Sequence, residues 1–111
     1  MKEKIIARLK KLKFESKFFG SKPWKYSNKE DMRYQLWLEE VKQWLMDTYN
    51  IHLNICHRVH SQTNYFYITS GYDNKNDDLL QIIYEEKYSK YKKYIDALEC
   101  GVYISLTKLI S

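Results

Sequence analysis

Between Ser27 and His60 the hydrophobic period changes once, from the three- and four-residue steps of a helix to the alternation of a strand. Ser27-Asn28-Lys29-Glu30 has the form of a capping box, and Glu30 and Asp31 add negative charge where a helix dipole favours it. Tyr34, Trp37, Leu38, Val41, Leu45 and Thr48 then form one apolar stripe, with Trp44 beside it. The spacing predicts a helix from about Asn28 to Tyr49. Asn50 suits the left-handed residue that ends it, and Ile51 can fold back on the last turn. Beyond this point Ile51, Leu53, Ile55 and Val59 alternate with His52, Asn54, Cys56, Arg58 and His60, so the strand from Ile51 to His60 has one apolar and one polar face. Such a strand belongs to an antiparallel sheet covered on a single side.

The rest of the chain is read outward from this unit. Ser61 to Asn64 has turn composition, and Tyr65 to Gly71 is a β-rich run that would form a hairpin with the first strand. Tyr72 to Asp78 reads as a polar loop and Leu79 to Tyr84 as a third strand, a helical turn being the alternative. From Ser89, which can act as a cap, Tyr91, Ile95, Leu98, Val102, Leu106, Leu109 and Ile110 restore the helical period. Gly101 in that helix suggests close approach to a neighbour, since glycine there lowers helix stability by about 1 kcal/mol relative to alanine. The expected fold is α+β, a two-layer sandwich. A short three-stranded antiparallel sheet carries two long helices on one face, with a basic helix at the N-terminus.

The chain divides by charge. Residues 1–29 hold ten Lys and Arg against two Glu, a net of +8, whereas residues 30–111 carry a net of −3. We therefore expect a basic amphipathic arm over residues 1–26 and a single α-β-β-β-α domain over residues 27–111. In Met1 to Lys13, Ile5, Ile6, Leu9 and Leu12 recur at helical spacing among Lys2, Lys4, Arg8, Lys10, Lys11 and Lys13. Three readings stand open for this helix: it docks its stripe on the core, it binds nucleic acid or an acidic protein surface, or it lies on a membrane surface. In Phe14 to Tyr26, Phe18, Phe19 and Trp24 are interleaved with Lys17, Lys22 and Lys25. These aromatics either plug the edge of the core or stack on bases while the lysines meet phosphates.

Catalytic signatures are missing from the sequence. There is no glycine-rich phosphate loop, no HExxH and no GxSxG, and the acidic pairs Glu39-Glu40, Asp77-Asp78 and Glu85-Glu86 are sequence neighbours of the kind found on solvated surfaces. His52, Cys56 and His60 share one strand face, but positions four apart lie roughly 13 Å from each other along a strand, so one tetrahedral ion would need a bend or a second chain. A polar sheet face fits these residues better. The sequence implies no enzyme, no cofactor and no metal. Cys56 and Cys100 form no spaced framework, no run approaches the length of a membrane span, and a soluble protein of a reducing cytoplasm is expected. The candidate contact residues are Arg8, Lys10, Lys11, Lys13, Lys17, Lys22, Trp24 and Lys25 from the basic segment. To these the sheet face adds Arg58 and His60, beside Asn54 and tyrosines of the second strand. A protein that dimerises through a tyrosine-rich sheet is a plainer alternative.

The segments Lys29–Tyr34 and Trp44–Leu53, with "N-I-H-hydrophobic" opening the strand, resemble small phage and prophage proteins of Bacteroidetes-type bacteria. The closing segment Tyr94–Ile110 is similar to that group's "YEEALExGLxEALKLI" helix, with Ser105 and Thr107 standing where the pattern carries acidic and alanine residues. The resemblance spans roughly residues 29–111 and rests on core and cap positions, so it implies a shared fold. Through the small counter-defence proteins of such phages, it also implies an anti-CRISPR inhibitor of the RNA-targeting Cas13b class. The partner would be a host nuclease or ribonucleoprotein in the bacterial cytoplasm, with RNA as a further partner. An RNA- or DNA-binding accessory module acting through the basic arm is the alternative.

Overall fold

The computed structural model describes residues 2–17, 32–57, 65–72, 80–85 and 91–110, with only the backbone described at Tyr72 and over 80–85. In chain order the elements are α1 (Lys2–Lys11), α2 (Met32–Tyr49), β1 (Ile51–His57), β2 (Tyr65–Tyr72), β3 (Leu80–Glu85) and α3 (Tyr94–Ile110). The fold class is α+β. The capping box at Ser27, the strand residues 58–60, the turn 61–64, the loop 73–78 and Ser89 lie outside the described residues.

The period-four face of α2 is buried at Tyr34, Trp37, Leu38, Val41 and Leu45. Thr48, expected on that stripe, is exposed. It sits in the last turn, just before the chain hands over to β1. Asn50 ends the helix with a φ of 59°, its N–H donating to the Met46 carbonyl at 3.1 Å. This is the left-handed closing turn expected of asparagine. The turn aims Ile51 and Leu53 inward, and both are buried.

β1 and β2 pair antiparallel, with Leu53 opposite Thr69 and Ile55 opposite Tyr67. The backbone of β3 runs antiparallel to β2 in the order β1-β2-β3, and its register slips by one residue between Thr69 and Ser70. Because opposed residues share a face, Tyr67 points with Ile55 toward the helices. This corrects the expectation that the β2 tyrosines line the open face. Tyr67 is buried, and Tyr65 sets its ring edge-on to Tyr94 of α3 at 6.1 Å.

α3 buries Ile95, Leu98, Val102 and Leu106. It starts at Tyr94, five residues after the expected Ser89, because Tyr91 is engaged elsewhere. The Tyr91 carbonyl accepts from the Tyr65 N–H at 2.7 Å in an isolated bridge, and the Lys93 carbonyl accepts the first helical N–H groups, those of Asp96 and Ala97. Gly101 lies where α3 crosses the β1–β2 ladder. A Cβ there would sit 2.7 Å from Leu53 Cδ1 and 3.3 Å from Tyr67 Cγ. The close approach anticipated from the sequence is therefore to side chains of the sheet.

Of the three readings open for the first helix, docking on the core is observed. Ile5 and Leu9 are buried in the same cluster as Leu38, Leu98 and Val102. At its end the Phe14 N–H donates to the Leu9 carbonyl at 3.0 Å and the Lys13 N–H to the Lys10 carbonyl at 3.1 Å. With Lys13 at a φ of 60°, this pair of bonds is a Schellman cap built on a lysine.

Candidate functional site

Docking of α1 through Ile5 and Leu9 leaves its other side to solvent. Lys4, Lys10 and Lys11 are exposed there, as are Lys13 in the cap and the side chain of Lys17 just beyond. The lysines of the last turn also sit where the helix dipole is negative, so the helix tolerates their charge without partners. The result is a short basic ridge whose backbone is fixed by the core beneath it. Glu3 is the one exposed acid on the helix.

Arg8 does a different job from its lysine neighbours. Its guanidinium lies 4.7 Å from the centre of the Tyr103 ring, donates to the Lys4 carbonyl at 3.2 Å and reaches the Tyr103 hydroxyl at 3.5 Å. It ties α1 to α3 by a cation–π contact. At the start of α1, the Lys2 ammonium sits 4.7 Å from the Tyr34 ring centre in the same way.

Beside the ridge, the chain after the Schellman cap runs along α2 and leaves a groove of about 330 Å³. Phe14 and Trp44 pack in a T-shaped arrangement with ring centres 4.9 Å apart, and the Tyr49 ring lies nearly perpendicular to Trp44 at 5.3 Å. Glu15, Glu40 and Asp47 bring carboxylates to the groove and Lys17 the one ammonium. The Lys17 N–H donates to Glu40 Oε2 at 3.1 Å, while Glu40 Oε1 is buried with no hydrogen-bond partner. Asp47 Oδ1 accepts from Gln43 Nε2 at 3.1 Å.

The face of β1 and β2 opposite the helices carries His52, Asn54 and Cys56 across from Ser70, Ile68 and Phe66, with Asn54 exposed and Ser70 buried. His57 lies on the other face, its ring 4.8 Å from that of Tyr65. The alternation expected of β1 therefore holds as far as His57. Lys22, Trp24, Lys25, Arg58 and His60 lie outside the described residues. Of the candidate contact residues, Lys10, Lys11, Lys13 and Lys17 are exposed, Lys17 beside the groove, and Arg8 is turned onto Tyr103. Among the described residues no group of His, Cys, Asp and Glu is arranged to hold a metal ion. Among them, too, no helix is long and apolar enough to cross a membrane.

Two polar clusters escaped the sequence reading. Glu99 is buried on α3 and accepts from the Tyr34 hydroxyl at 2.6 Å. Burial first, and the neighbouring Glu99 carboxylate second, push the Tyr34 phenol well above its ordinary range. Glu39 accepts from Tyr94 at 2.5 Å and from Lys42 at 3.4 Å; desolvation, then the bond to Glu39, likewise raises the Tyr94 phenol. The signal for Glu99 was its position, four residues after Ile95 and three before Val102, on the apolar stripe itself.

No family model, curated protein or solved structure matches this chain.

Proposed function

We propose that the protein is a non-enzymatic binding module that disables a host RNA-guided nuclease or its guide-RNA complex, with α1 meeting the RNA or an acidic channel of the partner. The reading takes the scaffold as a two-layer sandwich of helices over one sheet face. The observation that carries it is the anchored basic ridge: Lys4, Lys10 and Lys11 are exposed on a helix whose opposite side is buried at Ile5 and Leu9, and Lys13 is exposed in its cap. A charged surface fixed before binding loses less conformational freedom on association than a loose tail does. The resemblance of residues 29–111 to phage proteins directs the reading toward counter-defence and a Cas13b-type effector in the host cytoplasm.

The test is cleavage of a labelled target RNA by a purified, guide-loaded effector of that type, with increasing amounts of this protein. The native chain should suppress cleavage, and the Lys10→Gln, Lys11→Gln, Lys13→Gln triple variant should need roughly tenfold more protein or greater. Equal suppression by the variant would remove α1 from the mechanism. Absence of suppression by the native chain would remove the inhibitor reading.

The same ridge supports a second reading, direct binding of single-stranded nucleic acid. Neutralising four phosphates would give a slope of log affinity against log salt of about −3. A protein that ignores bare RNA and DNA at low salt would rule this reading out.

A further inference from the structure

We infer that the groove between the 13–17 segment and α2 is a receptor for an arginine side chain presented by a partner protein. It is a second contact site, separate from the basic ridge and of opposite charge.

The chemistry of the walls selects the occupant. Phe14 and Trp44 supply aromatic surface, and three carboxylates, Glu15, Glu40 and Asp47, outnumber the single Lys17 ammonium. Glu40 ties the 13–17 segment to α2 at the groove wall. One of its oxygens is taken by the Lys17 N–H, and the other is buried without any partner. Glu40 is half-buried, and together with Glu15 and Asp47 it makes the groove negative beside low-dielectric aromatic walls. A cation entering the groove is attracted by this surplus of negative charge. The aromatic walls favour a planar, weakly hydrated guanidinium over an ammonium, because it stacks on ring faces while its five N–H groups reach several carboxylates. A volume of about 330 Å³ falls at the small end of ligand pockets, enough for one long side chain and its immediate backbone. Arginine is also enriched at protein–protein interfaces, where aromatic and acidic surroundings hold it.

The test follows the indole N–H resonance of Trp44, assigned by its loss in Trp44→Phe, during titration of the full chain. The probes are a blocked glycine–arginine–glycine tripeptide and its citrulline counterpart, which has nearly the same shape and no charge. A saturable shift is expected with the arginine peptide, at an affinity about tenfold above that of the citrulline peptide. Glu40→Gln and, separately, Asp47→Asn should each weaken the arginine peptide several-fold while the spectrum remains that of a folded protein. Equal binding of the two peptides, or no saturable shift at Trp44, overturns the inference. Oligouridylate in the same experiment reads the resonances of α1 instead, so the groove and the ridge succeed or fail separately.

Discussion

The Tyr34 hydroxyl donates to Glu99 Oε2 across 2.6 Å in the interior, joining α2 to α3 through a charged hydrogen bond. Both residues are buried on helix faces that are mostly apolar. Tyr34→Phe should lower stability by about 2 kcal/mol, because the buried carboxylate loses one of its donors. Glu99→Ala should lower it further, since it leaves a cavity as well as an orphaned hydroxyl. Urea unfolding of the two single variants and the double variant checks this. The double variant should be less unstable than the sum of the singles.

The raised Tyr34 and Tyr94 phenols make stability depend on alkali. Both hold their protons more tightly in the folded chain than in the unfolded one, whose phenols titrate near 10. The stability this provides is therefore complete below about pH 10 and is lost as pH rises above it. A phenolate absorbance titration should show a late fraction that ionises together with unfolding. Tyr34→Phe should make the remaining stability less sensitive to alkali. A single tyrosine titration near pH 10 with the fold intact would contradict the assignment.

Gly101→Ala should destabilise despite the better helix propensity of alanine. The new methyl group would meet Leu53 Cδ1 at 2.7 Å, and Leu53 is itself buried with little room to turn. Overpacking of this kind amounts to about 1–3 kcal/mol, against a propensity gain of about 1 kcal/mol. A net loss near 1 kcal/mol is expected in thermal or urea unfolding. Leu53→Ala in the same chain should reverse the sign of the Gly101→Ala effect.

Lys13→Gly should stabilise. Lys13 holds a φ of 60° to close the Schellman cap, a conformation unfavourable by about 1 kcal/mol for a residue with a Cβ. Glycine removes that strain and gives back part of the gain through a freer unfolded chain. A rise of a few tenths to about 1 kcal/mol in unfolding free energy is the expected outcome.

The features legible in the sequence are those set by local rules. The stripe of α2, the asparagine that ends it, the alternation of β1 and the tight contact at Gly101 all follow from period, turn chemistry and the absence of a side chain. What stayed hidden depends on pairs far apart in the chain. Tyr91 fits a helical stripe as well as its neighbours do, yet its carbonyl is taken by Tyr65, twenty-six residues earlier, and the helix starts after it. Thr69 and Ser105 sit 2.8 Å apart in the core. The Ser105 hydroxyl already donates to the Gly101 carbonyl, so Thr69 is the donor between them. Neither partner announces the other. The groove likewise became visible only when the cap after Lys13 folded Phe14 back onto Trp44.

That cap has a practical consequence for anyone dissecting the molecule by truncation. Removing the basic segment would take Ile5 and Leu9 out of the core, Phe14 off Trp44 and the Lys17 N–H from Glu40. A shortened chain would be a damaged scaffold, and its silence in an assay would report lost packing as readily as lost charge. Charge-neutralising substitutions on an intact backbone are the instrument that separates the two.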